Sequence, residues 1–264
     1  MFDILVLGSN GMLGTYIMEY FRRIPSFNVV GLTRKEFDAA TDDVKHLDVH
    51  KYDVVINCIG TIKSVVDSVG TLNTILINSV FPHKLAVECE THNTRLIHIT
   101  TDCVFDGATG HYSELDLHNP TDVYGKTKSL GEPLNAMVIR TSIIGEELQT
   151  KRSLIEWVKS NHNNTVNGYT NHTWNGVTCL ELAKFIGGVI QNETYWTGIR
   201  HIFSPNEVTK LELVTMIAKA FNIKMSILHA ETPVHVYRTL TSIYDHPIPR
   251  TLEEQINELP GFFK

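Results

Sequence analysis

A chain of 264 residues has room for one large domain, or for a domain with a smaller lobe. Its 42% hydrophobic and 20% charged content is ordinary for a globular protein, and a net charge of -6 argues against a non-specific nucleic-acid binder. Cys58, Cys89, Cys103 and Cys179 are scattered and form no C-x-x-C pair, so neither a metal site nor a disulfide framework is expected. The apolar stretch 4–7 is too short for a leader and no apolar run is long enough to span a bilayer, so a reduced, cytoplasmic protein is expected.

Residues 2–7 (FDILVL) read as a strand ending at Gly8, and 11–23 as a helix. Strands come next at 27–32 and 53–59. Residues 71–91 are predicted mostly helical, with Leu72, Ile75, Leu76, Val80, Leu85 and Val87 in approximate helical period and Pro82 near a bend or a start. A strand at 95–99, a helix at 121–132 and a strand at 136–140 complete the series. Alternating strands and helices imply right-handed crossovers, and continuous apolar strands imply burial on both faces. The expected fold is α/β: a Rossmann-type, doubly wound parallel sheet. After residue 142 the pattern loosens. Residues 159–176, rich in Asn, Thr, His and Gly, read as long loops; helices are expected at 180–190 and 209–221, with a strand at 199–203. This divides the chain into a dinucleotide-binding domain (1–142, with a returning segment at about 177–203) and a smaller, irregular substrate lobe (143–176 and 204–264).

"GSNGMLG" places Gly8, Gly11 and Gly14 between the first strand and the first helix, around Asn10, Met12 and Leu13. The first glycine permits a tight turn, the second lets the backbone approach a pyrophosphate, and the third lets the helix lie close to the sheet. The second strand ends at "GLTRKEFD". NAD sites commonly carry an acidic residue here; this chain offers Arg34, whose guanidinium matches a 2′-phosphate. That favours NADPH over NADH, with Asp38 at the edge of the adenine pocket. The bland alternative is a solvated basic turn.

"HITTDCVFDG" gathers Thr100, Thr101, Asp102 and Cys103 at a strand end, where a parallel sheet presents its ligand crevice. "VYGKTKSLGE" sets Tyr124 and Lys128 four residues apart, on one helix face. A nearby ammonium would lower the phenol's pKa and suit it to protonate an alkoxide as hydride arrives at carbon.

With these motifs in this order, the chain resembles the extended short-chain dehydrogenases/reductases, in the branch of the dTDP-4-dehydrorhamnose reductases. Those enzymes reduce the C4 ketone of a nucleotide-linked 4-keto-6-deoxy sugar with a nicotinamide cofactor. The resemblance is most specific at "TTDCVFDG", "VYGKTKSLGE" and "VIRTSIIG", against a family pattern of S-T-D-Y-V-F-D-G followed by Y-G-x-[ST]-K. It implies that Thr101 is the catalytic hydroxyl, Tyr124 the acid and Lys128 its partner. It also implies that Cys58, Ile59 and Gly60 lie along the cofactor, with Thr100 and Asn78 adjacent. Lys63, Thr101 and Val104 are the substrate-side candidates. The implied partner is a nucleotide sugar, with a homodimer as the assembly to test and neither nucleic acid nor membrane involved.

Cys103 replaces the family's common tyrosine, and Thr61-Ile62-Lys63 also departs from its pattern. These changes point to a variant branch similar to reductases of UDP-linked acetamido-6-deoxyhexoses. The spacing of Thr101-Asp102-Cys103 also resembles the hydroxyl–x–Cys motif of GDP-fucose synthase, which adds a 3-epimerase expectation with Cys103 as base. The histidine used there as the opposite acid has no counterpart near Lys151-Arg152. Two other readings remain. One is a non-catalytic NADP-binding subunit resembling the regulatory subunit of methionine adenosyltransferase. The other is a nucleotide-sugar dehydratase, whose acidic pair Cys103 interrupts.

Overall fold

The computed structural model describes residues 1–245 and 248–264. The chain opens with β1 (Phe2–Leu7), α1 (Met12–Phe21), β2 (Phe27–Leu32) and β3 (Val54–Asn57). Then come α2 (Val66–Val69), α3 (Thr71–Ile75), α4 (Phe81–Thr91), β4 (Arg95–Thr101), α5 (Val123–Leu130) and β5 (Met137–Thr141). The remainder holds β6 (Ile143–Ile144), α6 (Leu154–Ser160), β7 (Thr165–Tyr169), β8 (His172–Trp174), β9 (Val177–Thr178), α7 (Cys179–Asn192) and β10 (Gly198–His201). It ends with β11 (Val208–Thr209), α8 (Lys210–Ala220), β12 (Ser226–Ala230), β13 (Val236–Arg238) and α9 (Leu252–Asn257).

Six parallel strands form the main sheet in the order β10-β5-β4-β3-β1-β2. Successive side chains of β1 go to opposite faces. Ile4 and Val6 join Ile56, Ile97 and Ile139 under α1 and α7, while Leu5 and Leu7 join Val55 and Leu96 under Phe81 and Leu85 of α4. Both faces are therefore dry, which explains the unbroken apolar strands. The strand order reverses direction between β1 and β3, making a switch point where the carboxyl ends open a crevice. Residues 33–53 carry two short 3₁₀ turns (Val44–Leu47 and Val49–Lys51) and no strand.

One expectation is corrected. Residues 159–176 are not long loops: β7 pairs in parallel with β12, and β8 sits between β11 and β13. Thr, Asn and His in these strands face half-wet small sheets, so they lack the apolar signature of the main one. Residues 71–91 are helical as expected, in α3 and α4 with a π turn at Leu76–Val80 between them, and Pro82 stands near the start of α4. Leu85 is fully buried, while Leu72 and Val87 are 70% and 60% exposed.

Arg140 of β5 is fully buried and ties the sheet to the lobe. Its guanidinium bonds both oxygens of Glu132 at 3.1 and 2.7 Å, His201 Nε2 at 2.8 Å and His118 Nε2 at 2.6 Å. A guanidinium only donates, so both imidazole nitrogens accept. His201 must then carry its proton on Nδ1, which donates to the carbonyls of Thr241 (2.8 Å) and Tyr112 (3.1 Å). Burial, then Arg140, pushes the His201 pKa down to about 4.

Candidate active site

The glycine loop lies at the switch point. Gly8 has φ +73° and lies against the Cys58 backbone, where an added Cβ would sit 3.2 Å from the Cys58 carbonyl carbon. A Cβ on Gly14 would meet the Gly8 carbonyl oxygen at 2.2 Å, so only glycine lets α1 start this close to the strand. The helix N-cap, Gly11, offers no side-chain cap, and the first turn holds no acidic residue. The free N–H groups and positive dipole end are left for an anion. Leu13 is buried and Met12 half-buried behind the loop, while Asn10 is exposed and reaches Gln149 at 3.3 Å. At the end of β2, Arg34 is 71% exposed and its Nε donates to Asp38 Oδ2 at 2.9 Å. Asp38 thus steers Arg34 and leaves the outer guanidinium nitrogens for a ligand.

Cys58, Ile59 and Gly60 come directly after β3, and the ideal Cβ of Gly60 would lie 3.5 Å from Asn78 Oδ1 and 3.8 Å from Lys128 Nζ. Asn78 is almost wholly buried. It accepts from Thr61 N at 2.8 Å and donates to Thr61 O and Thr127 Oγ1 at 3.0 and 3.1 Å. Its amide staples the loop after β3 onto α5.

Thr101 ends β4 and caps a 3₁₀ turn over Asp102–Val104, its Oγ1 accepting from Cys103 N at 3.1 Å. Helix α5 is started by Asp122, which accepts from Gly125 N at 2.8 Å and pairs with the largely exposed Lys63 at 2.7 Å. A Cβ on Gly125 would fall 2.3 Å from the Cys103 carbonyl oxygen, so this glycine lets α5 abut the turn after β4. Tyr124 comes against Thr101, Asp102 and Cys103. Lys128 is 5% exposed and donates from Nζ to the Ile99 carbonyl at 2.9 Å; burial pushes its pKa down to about 8, partly offset by Glu132 and Cys58.

Here the expected electrostatics are corrected. Tyr124 lies above the ordinary phenol range, raised by burial and by Cys103, with the Thr101 hydroxyl opposing. The protein's own groups keep it a phenol; the Lys128 ammonium is turned to a backbone carbonyl. Burial, then Asp102, pushes the Cys103 thiol up to about 12, with Arg238 opposing. Val104 is fully buried in a small core with Phe105, Tyr112, Phe203 and Leu240, so it does not line the crevice. Thr100 is 4% exposed, and its Oγ1 has no hydrogen-bond partner.

Sequence reasoning missed Arg238 of β13. Its guanidinium crosses from the lobe to the carbonyls of Phe105 (3.3 Å) and Asp106 (3.5 Å) and bears on Asp102, Cys103 and Asp122. A lone arginine far along the chain carries no sequence signal for this. Asp122 could have been found, because an Asp just before a helix is a standard start signal. A cleft lined by His50, Tyr52, Arg95 and Tyr195 opens at the amino ends of the strands, away from all of these groups. Among the described residues, no group of three or more His, Cys, Asp or Glu is placed to hold a metal ion, and no helix is long and apolar enough to cross a membrane.

A glycine loop at the switch point of a parallel sheet, facing a threonine hydroxyl and a Tyr-x-x-x-Lys helix, has the architecture of an extended short-chain dehydrogenase/reductase. The chain belongs to the RmlD substrate binding domain family, whose model matches residues 2–250. It is 27% identical to a dTDP-4-keto-6-deoxy-D-glucose reductase of Streptomyces niveus over 227 residues, covering 80% of this chain and 76% of that one. It is also 27% identical to methionine adenosyltransferase 2 subunit beta of Bos taurus, covering 87% of this chain and 75% of the relative. The fold matches a dTDP-4-dehydrorhamnose reductase of Bacillus anthracis solved in complex with NADP, with a TM-score of 0.82, 17% identity and 98% of each chain covered.

Proposed function

We propose that this protein reduces the C4 ketone of a nucleotide-linked 4-keto-6-deoxyhexose, with NADPH as reductant. The observation that carries the reading is the meeting of Thr101 and Tyr124 at the carboxyl end of β4, beside the glycine loop. The Gly8–Gly14 cradle and the uncapped start of α1 fit a pyrophosphate, and Arg34 fits a 2′-phosphate, with NADH the weaker ligand. Cys58, Ile59 and Gly60 would flank the cofactor, and Lys128 would turn from Ile99 to the ribose. NADPH supplies the hydride. Tyr124, held as a phenol, gives its proton to the developing alkoxide, and the Thr101 hydroxyl, hydrogen-bonded to Tyr124, holds that phenol in place. Residues 1–142 and 177–203 would serve the cofactor, and 143–176 and 204–264 the sugar nucleotide. The similarity to the Streptomyces reductase supports this reaction class.

Two finer points belong to the same proposal. The nucleotide is dTDP or UDP, the latter with an acetamido sugar. Epimerisation at C3 would need a Cys103 thiolate, and the high thiol pKa favours reduction alone. The second reading is a non-catalytic NADP-binding subunit, which the similarity to the methionine adenosyltransferase subunit favours. A panel of dTDP- and UDP-linked 4-keto sugars, tracked by NADPH consumption and NMR of the product, decides between them. Consumption with one of them supports the reductase; tight NADPH binding with no consumption on any sugar supports the binding subunit.

A further inference from the structure

We infer that Asp102 is a proton reservoir for the Tyr124 acid, acting through Thr101: a directed chain from Asp102 O–H to Thr101 O–H to Tyr124 O–H to the ketone oxygen. This rests on the reductase reading and adds a residue to it. Thr101 Oγ1 stands 3.1 Å from Asp102 Oδ1 and 3.1 Å from Cys103 N, and it is a hydrogen-bonding neighbour of Tyr124. A hydroxyl has one donor and two acceptor positions. The Cys103 N–H fills one acceptor position. If Asp102 is protonated it fills the other, and the Thr101 hydrogen has only Tyr124 to point to. Tyr124 is then free to aim its own hydrogen at the substrate. An ionised Asp102 would take the Thr101 hydrogen for itself and break the chain.

The surroundings favour the protonated form. Asp102 is 4% exposed, and its Oδ2 is buried with no hydrogen-bond partner. Leaving a charged oxygen in that position is costly. The groups facing Asp102 are Arg238 from β13, Tyr124 from α5, Thr101 and Cys103 beside it in the chain, and Ser142 just after β5; the bonds from Thr101, Cys103 and Ser142 favour the charged form but are outweighed by burial. Of these only Arg238 is a cation, and its guanidinium is engaged by the Phe105 and Asp106 carbonyls. Burial accordingly raises Asp102 above the usual carboxylate range, with Arg238 offsetting part of it.

The proton count closes. As C4 accepts hydride, the Tyr124 O–H bond breaks and the product O–H bond forms. The Thr101 O–H bond breaks as that of Tyr124 is restored, and the Asp102 O–H bond breaks as that of Thr101 is restored. The Asp102 carboxylate left behind faces Arg238 and takes its next proton from water as product leaves.

The test combines a static and a kinetic measurement. Difference infrared spectroscopy of the unmutated protein against Asp102→Asn, at neutral pH, should show one protonated-carboxyl band that the variant lacks. Asp102→Asn should lower turnover by about tenfold with NADPH affinity unchanged. Unmutated turnover should fall as pH rises through the Asp102 titration, while the variant stays flat there. In mixed H2O/D2O the unmutated enzyme should give a curved proton inventory and the variant a straighter one. An ionised Asp102 at neutral pH, or a linear inventory in the unmutated enzyme, overturns the relay; the inventory needs no folded variant. Absence of turnover on every nucleotide 4-keto sugar would instead sink the reductase reading, and the infrared band would still decide the state of Asp102.

Discussion

In the sheet half of the molecule, six parallel strands share one hydrogen-bonding pattern, and their ends are placed by two dry faces. Outside that sheet, the chain is held by pairings of two to five residues: β7 with β12, β11 and β13 on either side of β8, and β6 with β9. The first arrangement fixes groups to within a hydrogen bond, so Thr101, Tyr124 and Lys128 all project from or pack against β4 and α5. The second leaves half-buried polar side chains whose placement depends on contacts with the sheet half. Arg238 and the Arg140 cluster are those contacts. The placement of Tyr124 is built into the sheet half, and the second region depends on it.

The largest expected effect comes from cutting that connection. Arg140→Ala leaves Glu132 buried without its cation, and the stability loss should be about 3–5 kcal/mol. Because the cluster also holds Tyr112 and Thr241, chemical denaturation should show both halves weakening together. A variant whose lobe loosens while the sheet keeps its stability would make the cluster a lobe feature only. Acid should do the same more gently. His201 is neutral in the fold with its pKa pushed down to about 4, below the ordinary histidine value. The unfolded chain therefore binds the proton first, and this contribution, full above the ordinary value, is lost as pH falls to about 4. A stability curve flat across that window would remove His201 from the account.

Next in size is the acid itself. Tyr124→Phe keeps the buried ring and deletes the proton, so turnover should drop about a hundredfold or more while NADPH still binds. Retention of near-normal turnover would move the acid elsewhere, and would separate catalytic precision from the sheet half.

Legibility in the sequence divides along the same line. Strands β1 to β5 are visible there because burial on both faces leaves only apolar choices, and the glycine loop because no Cβ fits there. The strand β10 is legible too, but its pairing beside β5 needs the fold. β7 and β8 are invisible, because a small sheet with one wet face tolerates Asn, Thr and His. In the site, Thr101, Tyr124 and Lys128 sit together as their motif order implies. Their protonation is beyond the motif, because spacing along a helix says nothing of burial or of the Ile99 carbonyl that holds Lys128. Val104 reads as a crevice residue from its neighbours alone, yet by that point in the turn the chain has already dived into the core.

A smaller effect tests the cofactor edge. Arg34 is the exposed cation at the end of β2, steered by Asp38. One charge-assisted contact to a 2′-phosphate is worth about 1.5–3 kcal/mol, so NADPH should bind roughly ten- to a hundredfold tighter than NADH. Arg34→Ala should erase most of that difference without touching NADH affinity. Equal affinities in the unmutated protein would reduce Arg34 to a solvated turn residue.

The smallest effect is expected at Cys103, in the turn after β4. A base at C3 must be a thiolate, and burial and the neighbouring carboxyl push this thiol up to about 12. At neutral pH the thiol therefore keeps its proton. Arg238 opposes the shift but does not cancel it. With oxidised NADP and keto sugar in D2O, no deuterium should enter the sugar at C3, and Cys103→Ser should leave reduction largely intact. Deuterium appearing at C3 in the unmutated enzyme and vanishing in Cys103→Ser would show that bound sugar lowers the thiol pKa. It would also make the turn after β4 a site of two proton transfers, one through Thr101 and one through Cys103.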